Sequence, residues 1–310
     1  MNEKTQSDYK KLAAHFYKNK LNGEQPTPKK IADALKACAV DYRPAYWRKL
    51  RNALAFDQQS KGYKDAAERI NKTQNPATKD GSKLDVKPKQ KRIKAISSED
   101  ENKLLKALMD NKDHESYAAV RVCKALGVRP AELKHLELLG DCVLIKGAKK
   151  SHGGSRGADR IVEVSNKSFN FIKAAIPVLN KADIGRVQDR IRGMGKRLWP
   201  RRSAVPTLYT WRHQMGSDLK ASGLNRMSVA YVMGHQSTAS VNVYGNKRMG
   251  NGGRSLPMPA NQVLLDDTLS NIRENHTTQP PTAMQRAKES DAKVRAALQR
   301  QAKAESTLSM

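Results

Sequence analysis

The chain has 310 residues and a formal net charge of +28 at pH 7. This length allows about two domains, and so large a positive charge argues against an ordinary enzyme of small-molecule metabolism and for a polyanionic partner. The excess of Lys and Arg over Asp and Glu is 13 in residues 1–96, 13 in 97–249 and 2 in 250–310. Because both main segments are basic, we expect a protein that holds a nucleic-acid backbone and releases it in high salt.

Composition excludes several other classes of protein. No apolar run approaches the roughly 18 residues of a membrane helix, and the N-terminus has no apolar signal-peptide core, so we expect an intracellular protein without a membrane partner. The three cysteines, Cys38, Cys123 and Cys142, lack CxxC spacing, which argues against disulfides and a zinc site. Neither a metal nor a cofactor is expected. Aromatic residues make up only 5%, so the core must be mainly Leu, Val, Ile and Ala, which favours helices.

Residues 1–72 are predicted to form a compact helical DNA-binding domain. Apolar periodicity and proline breaks predict helices at 6–20, 28–38, 44–56 and 62–71. Residues 73–95 lose this periodicity and are rich in Pro, Gly and Lys, which is typical of a linker. The basic end of the linker is either simply solvated or follows DNA phosphates. Its candidate phosphate contacts are Lys87, Lys89, Lys91 and Arg92.

A second domain is predicted over residues 96–250. Its helices are predicted at 98–110, 115–126, 130–138, 166–175, 184–198, 207–221, 226–233 and 237–245. Two β-rich runs, 141–147 and 159–164, flank a Gly/Ser/Lys loop and predict an antiparallel hairpin. The predicted fold class is therefore mainly α with a small antiparallel β-sheet (α+β). Residues 251–310 form a C-terminal tail with a predicted helix at 283–304.

Five residues of the second domain are candidates for chemistry, although each also has an ordinary structural explanation. They are Arg129 in GVRPAEL, Lys146 in IKG, Arg212 in YTWRHQMG, His235 in MGHQS and Tyr244, nine residues after His235. Arg129 could simply pair with Glu132, because residues three apart share a helix face. Gly234 and His235 could simply end a helix, and Tyr244 could be a half-buried phenol.

In this order, the five residues and their flanking sequences resemble the tyrosine recombinase family, which includes phage integrases and Xer-type recombinases. The segments GVRPAEL, IKGAKK, YTWRHQMGSDL and MGHQSTASVNVYG are similar to four sequence boxes of that family. The resemblance covers residues 97–249 as the catalytic domain and, more loosely, residues 1–72 as the DNA-binding domain. It implies a two-domain, C-shaped clamp that acts on double-stranded DNA as a tetramer, with DNA-bending accessory proteins as optional partners.

The resemblance also implies a role for each residue. It makes Tyr244 the nucleophile, Arg129 and Arg212 the phosphate-binding arginines, Lys146 the general acid, His235 a hydrogen-bonding partner of the phosphate or of Tyr244, and Glu132 the brace of Arg129. An anionic phosphodiester gains charge as its phosphorus becomes five-coordinate, and two guanidiniums can stabilise that charge where other nucleases use metal ions. A tyrosine–phosphorus ester keeps the bond energy, so a DNA 5′-hydroxyl can reverse the attack without ATP.

The sequence departs from the family pattern at Tyr209, three residues before Arg212, where the family usually has a histidine. A phenol with a pKa of about 10 is a poor base near neutral pH, so we expect Tyr209 to supply a hydrogen bond. His213 would be a substitute base, but successive helix positions are about 100° apart. We therefore expect His213 to point away from the site.

The identity of the hairpin lysine stays open at the level of sequence. The interval from Arg129 to Lys146 is shorter than is usual in the family, so Lys149 or Lys150 is an alternative to Lys146. Lys146 is expected at the end of a strand, and the other two are expected in the loop.

The first domain has further candidate DNA contacts in the segment DYRPAYWRKLRNAL. On a helix that begins near Pro44, Arg48 and Arg51 would share a face and could reach phosphates or the edge of a groove. With equal weight, the cations could be solvated residues opposite a buried face. The candidates are Arg43, Arg48, Lys49 and Arg51.

The sequence thus predicts a site-specific DNA recombinase or integrase of a bacterial or phage mobile element, located with the nucleoid in the cytoplasm. It would cut and rejoin DNA through a covalent 3′-phosphotyrosine intermediate, without metal or ATP. Two alternatives stay open. One is a type IB topoisomerase or telomere resolvase with the same site, and the other is a non-catalytic, sequence-specific DNA-binding protein in which Tyr209 marks a degenerate site.

Overall fold

A computed structural model describes residues 1, 3–148, 158–251, 255–265, 269 and 272–274 of the chain. It divides into two compact units, Met1–Gln90 and Lys91–Met310, which are described separately. Lys149, Lys150 and the tail helix predicted at 283–304 lie outside the described residues.

The first unit is helical. Its elements are α1 (Glu3–Lys20), α2 (Pro28–Ala37), α3 (Pro44–Ser60), α4 (Lys64–Lys72) and a 3₁₀ turn at Pro76–Thr78. Prolines begin α2 and α3 because the first helical position needs no backbone N–H donor. The Thr27 side chain caps α2 by accepting from the backbone N–H of Lys30. Phe16, Leu35 and Leu54 are among the residues of its apolar core.

The second unit combines helices with a small sheet. Its helices are α5 (Ser98–Asp110), α6 (His114–Leu126), α7 (Asn166–Lys181), α8 (Ile184–Leu198), α9 (Leu208–Ala221), α10 (Arg226–Val232) and α11 (Asn261–Leu265). α9 is the central helix, because every residue of 208–219 except Tyr209 is buried. Polar groups on α9 therefore lie in the interior and need partners from distant segments.

The sheet has four antiparallel strands in the order β1-β2-β3-β4. They are β1 (Leu136–Leu139), β2 (Cys142–Ile145), β3 (Arg160–Glu163) and β4 (Met258–Pro259). The predicted hairpin is present as β2 and β3, with Ile145 opposite Arg160. Together with the helices, the sheet confirms the predicted fold class of mainly α with a small antiparallel β-sheet.

The helix predicted at 130–138 is wrong. Only Pro130–Lys134 is helical, as a 3₁₀ segment, and the chain then enters β1. Gly140, with a φ of +60°, makes the turn that lets Leu139 face Cys142 across a hairpin. The β-pairing of this segment outweighs its local helical pattern. The helix predicted at 237–245 is likewise a shorter 3₁₀ segment, Thr238–Val243.

Candidate active site

Arg129 lies where α6 gives way to the 3₁₀ segment and is held by Glu132. Its Nη1 donates to Glu132 Oε1 at 2.6 Å, and its backbone N–H donates to Glu132 Oε2 at 2.9 Å. Glu132 is fully buried. Burial raises the pKa of this carboxyl, but Arg160, Arg129 and Arg212 outweigh that effect and bring the pKa to about 2. Glu132 is therefore an anion at neutral pH and fixes the orientation of the Arg129 guanidinium.

Arg212 lies on the inner face of α9 and is fully buried. Its Nη1 donates to Gly127 O at 2.6 Å, and its Nη2 donates to Met233 O at 2.5 Å and lies 3.1 Å from His235 Nε2. Burial and the neighbouring arginines lower its pKa to about 10, so the group stays cationic at neutral pH. Its Nε is buried without a partner among the described residues.

His235 occupies the turn that follows α10. Gly234, with a φ of +62°, makes this turn possible. Burial and the cation of Arg212 lower the pKa of His235 to about 2, so the ring is neutral. Because an arginine N–H can only donate, Nε2 accepts from Arg212 and the ring proton lies on Nδ1. Nδ1 is buried without a partner in the described part of the chain, and it is therefore an available donor.

Tyr244 lies against these two residues. The Arg212 Cζ atom is 4.7 Å from the centroid of the Tyr244 ring, and the His235 ring centroid is 5.3 Å from it. The backbone around the tyrosine is fixed to α9, since Lys220 Nζ donates to Tyr244 O at 2.6 Å and to Gly245 O at 3.0 Å. A Cβ on Gly245 would lie 2.2 Å from Ser217 N, so only glycine permits this close approach of the two backbones.

The structure thus brings together four of the five sequence-predicted residues. Arg129 Nη2 donates to Gly234 O at 3.1 Å, and Arg212 Nη2 donates to the preceding carbonyl, that of Met233. The two arginines therefore bond neighbouring carbonyls of one turn rather than lying on separate surfaces. His235 and Tyr244 both lie against the Arg212 guanidinium and belong to the same cluster.

Lys146 does not join this cluster. It follows β2, and its backbone N–H donates to His135 O at 3.0 Å. Its Nζ pairs with Glu137 on the adjacent strand, and its side chain is 46% exposed. No lysine of the described residues is therefore placed in the cluster as the general acid, and the alternatives Lys149 and Lys150 lie outside the described residues.

The expectation that His213 points away is wrong. Its ring is buried, and its centroid lies 5.0 Å from that of Tyr244. The tyrosine segment crosses α9 directly over Gly216, where an added Cβ would lie 3.1 Å from the Tyr244 Cβ, and this path brings the ring to His213. Burial and the cation of Lys94 lower the pKa of His213. The ring of Tyr244 is therefore flanked by two imidazoles.

Tyr209 lies in the first turn of α9 and is 38% exposed. Burial and the proximity of Tyr244 raise its pKa. The phenol therefore stays protonated at neutral pH and is not a base there.

Arg160 was not among the site residues predicted from the sequence, although its side chain is fully buried beside Glu132. Its Nη2 donates to Glu132 Oε2 at 2.9 Å, and its Nε donates to Val232 O at 2.8 Å. The alternation of inward- and outward-facing side chains along β3 could have indicated a buried arginine, because Arg160 and Val162 share the inward face of the strand. Three guanidiniums, those of Arg129, Arg160 and Arg212, therefore surround one carboxylate, and the cluster has an excess of two positive charges.

Among the candidate DNA contacts of the first unit, three have partners within it. Arg43 Nε donates to Pro88 O at 2.8 Å, and Lys87 Nζ donates to Asp41 O at 2.9 Å. Arg51 is half-buried and donates to Thr73 O. The remaining candidates, in both units, are exposed: Arg48, Lys49, Lys89, Lys91 and Arg92.

In the parts of the chain that the structure describes, no group of three His, Cys, Asp or Glu side chains is arranged to hold a metal ion. None of the described helices is long and apolar enough to cross a membrane.

The depressed pKa of His235 predicts a pH-dependent stability. An unfolded histidine takes up a proton below about pH 6.5, whereas folded His235 does not until about pH 2. Its contribution is therefore complete above the unfolded pKa and is lost as the pH falls, by about 1.4 kcal/mol between pH 7.5 and 5.5. Urea unfolding at both pH values measures this loss.

His235→Gln should remove that part of the pH dependence, because an amide oxygen can still accept from Arg212 but does not titrate in this range. His114→Gln, at an exposed position, is the matched control and should keep the wild-type dependence. Equal pH dependence in wild type and His235→Gln would show that His235 is not buried as a neutral ring.

The sequence and the fold were compared with those of known proteins. No family model and no curated protein matches the sequence. A lambda integrase dimer bound to a COC′ core site matches with a TM-score of 0.56 and 14% identity, over 82% of this chain and 91% of that one. The Tn1549 transposon integrase in complex with a circular intermediate DNA matches with a TM-score of 0.54 and 13% identity, over 79% of this chain and 90% of that one.

A lambda integrase tetramer bound to a Holliday junction also matches, with a TM-score of 0.54 and 14% identity, over 82% of this chain and 75% of that one. Identities this low establish a shared fold and leave activity to be tested. The likeness confirms the predicted fold class of mainly α with a small antiparallel β-sheet. The chain therefore has the fold of the tyrosine recombinases and integrases.

Proposed function

We propose that this protein is a site-specific DNA recombinase or integrase that works through a covalent 3′-phosphotyrosine intermediate. The observation that carries the proposal is the buried cluster of Arg129, Arg160 and Arg212 around the single carboxylate of Glu132. Buried charge without a counter-ion is costly, so such a cluster favours an anionic ligand. The Tyr244 ring covers one of these guanidiniums, which puts a nucleophile beside the proposed phosphate site.

The proposed reaction balances without a metal or ATP. As the Tyr244 oxygen attacks the scissile phosphorus, the phenol proton passes to the neutral imidazole of His213. An ester bond forms between the oxygen and the phosphorus, and the bond from phosphorus to the 5′-oxygen breaks. Arg129 and Arg212 stabilise the charge that develops on the non-bridging oxygens. The departing 5′-oxygen takes a proton from a hairpin lysine, and the 5′-hydroxyl of a second strand later attacks the tyrosine ester and frees the phenol.

The surroundings of Tyr244 provide a cation and a proton acceptor next to the attacking phenol. The Arg212 cation lies over the ring, and His213 and His235 are neutral imidazoles on its flanks. Of the two imidazoles, His213 can accept the phenol proton, because Nε2 of His235 already accepts from Arg212. The raised pKa of Tyr209 suits that phenol only to donating a hydrogen bond.

Double-stranded DNA is the proposed partner, because both units carry a positive charge excess. The lambda and Tn1549 integrases were solved with DNA, and one lambda integrase structure is a tetramer on a Holliday junction. By analogy, four copies of this chain would act on two DNA sites, and DNA-bending proteins would assist. Such a protein of a bacterial or phage mobile element would work at the nucleoid in the cytoplasm.

Two observations favour the rival function, a non-catalytic DNA-binding protein. Tyr209 stands in place of the usual histidine, and Lys146 is paired with Glu137 outside the arginine cluster. A test begins by mapping the DNA that the protein protects, starting with the sequence that flanks its own gene. A nicked suicide substrate with that site traps the intermediate, because the short strand beyond the cut diffuses away.

A covalent protein–DNA adduct on this substrate supports the recombinase. No adduct on any protected site would overturn the proposal in favour of the binding protein. An adduct accompanied by relaxation of supercoiled DNA, without exchanged products, would identify a topoisomerase-like enzyme instead.

The hairpin lysine gives a separate prediction. If Lys146 protonates the leaving oxygen, Lys146→Ala should slow adduct formation by about 10²- to 10⁴-fold. A substrate with sulfur in place of the scissile 5′-oxygen should restore the rate, because a thiolate leaves without protonation. Rates from gel-resolved adducts measure both effects.

The matched variants are Lys149→Ala and Lys150→Ala, which should react normally if Lys146 is the acid. A sulfur-rescued defect in either one, with normal Lys146→Ala, would reassign the role. Glu137→Gln should not slow the reaction, because it only releases Lys146 from an exposed ion pair.

A further inference from the structure

Arg160 is the one arginine of the cluster that the sequence resemblance does not assign. Its side chain is fully buried, and two of its three guanidinium nitrogens are bonded, to Val232 O and to Glu132 Oε2. The third nitrogen, Nη1, is buried without a partner among the described residues. It lies against Gly234, where an added Cβ would be 2.6 Å from it.

The three arginines follow a regular pattern on the backbone beyond α10. Arg160 donates to Val232 O, Arg212 donates to Met233 O, and Arg129 donates to Gly234 O. Each of three consecutive carbonyls thus accepts a hydrogen bond from a different guanidinium. Carbonyls at the C-terminal end of a helix have no intrahelical partners and carry partial negative charge, so this turn gathers cations from three distant segments.

Arg160 also reaches Arg129 through Glu132. The Glu132 Oε2 atom accepts from Arg160 Nη2 and from the backbone N–H of Arg129, both at 2.9 Å, while Oε1 accepts from Arg129 Nη1. Loss of Arg160 would leave a buried carboxylate with one fewer donor. The carboxylate that orients Arg129 would then be free to move.

The position of Arg160 in β3 connects the arginine cluster to the β2–β3 hairpin. Arg160 pairs with Ile145 across the ladder, and Ile145 directly precedes Lys146. The hairpin base is therefore joined to the turn that carries His235 through the bond from Arg160 to Val232 O.

We infer that Arg160 is a positioning residue of the proposed reaction: it holds Arg129, the His235 turn and the base of the lysine hairpin in register around the scissile phosphate. This inference rests on the proposed function. It differs from a purely structural role because it requires phosphate binding and reaction rate to change in a protein that remains folded.

The first test measures binding of inorganic phosphate without DNA. Phosphate, compared with chloride at the same ionic strength, should raise the melting temperature of the wild type. In Arg160→Lys and Arg160→Gln the rise in melting temperature should be less than half of the wild-type rise, because the anion site is no longer held together. Arg186→Gln is the matched control, since Arg186 is an exposed arginine paired with Asp183, and its phosphate response should equal that of wild type.

The second test measures the rate of adduct formation at saturating DNA together with the DNA dissociation constant. Arg160→Gln should slow the reaction by about 10²-fold, the order expected when reacting groups are displaced by about 1 Å, with an unchanged dissociation constant. Arg160→Lys should recover part of the rate, because an ammonium can still pair with Glu132 but cannot also reach Val232 O.

Normal phosphate response and normal rate in both variants, even with reduced stability, would overturn the inference and leave Arg160 a structural residue. If Arg160→Gln does not fold, Arg160→Lys decides the question. If the wild type forms no adduct, the recombinase proposal fails, and the phosphate response still decides whether Arg160 organises an anion site.

Discussion

Tyr244→Phe is expected to abolish the covalent protein–DNA adduct and to leave DNA binding unchanged. The substitution removes only the phenolic oxygen, so the ring can still pack between His213 and His235 and over Arg212. Without a nucleophile there is no first chemical step, and the adduct should fall below detection. Denaturing gels of the suicide reaction measure the adduct, and a mobility-shift titration measures binding.

Tyr63→Phe is the control for this experiment, because Tyr63 is an exposed phenol of the first unit. It should give wild-type adduct and binding. An adduct that persists in Tyr244→Phe would contradict the assignment, and peptide mapping of the trapped DNA would identify the true nucleophile. Tyr209 would be the first residue to examine, because its pKa responds to the proximity of Tyr244.

Arg212→Lys should slow adduct formation by about 10²- to 10³-fold, the usual cost of removing one preorganised donor from a transition state. Lysine keeps the positive charge, but a single ammonium cannot bond Gly127 O and Met233 O together, as the two ends of the guanidinium do. The substitution should therefore lower the rate of adduct formation at saturating DNA. Single-turnover kinetics measure it.

The control is Arg186→Lys, because that side chain is exposed and lies outside the cluster. Melting temperatures and DNA titrations of both variants verify that the protein is folded and bound. A normal rate for Arg212→Lys would mean that the buried guanidinium serves packing alone, and the proposed phosphate site would then have to be abandoned.

Local patterns predicted much of the second unit. The helix at 184–198 is present with those bounds as α8, and the β2–β3 hairpin is present where two β-rich runs flank a glycine-rich loop. Both depend on periodicity and turn residues close in sequence, which is the information that local patterns carry. Segment 130–138 failed because its conformation depends on pairing with β2.

The site was predictable only in part for the same reason. Arg129, Arg212, His235 and Tyr244 could be selected from their order and flanking residues. Their contact in one cluster depends on the carbonyls of residues 233 and 234, which no spacing rule locates. His213 was expected to point away from the site because it is about 100° from Arg212 around the helix. The chain instead crosses that helix at Gly216.

The amino-acid order established the charge, the helical composition and the residues able to perform phosphoryl chemistry, because these follow from side-chain identity and from neighbours along the chain. The tertiary structure established which of these residues contact one another. Arg160, 28 residues from Glu132 and 72 from Val232, belongs to the cluster only because folding removes it from water. A guanidinium without water must bond the nearest carboxylate and carbonyl, however distant these are in sequence.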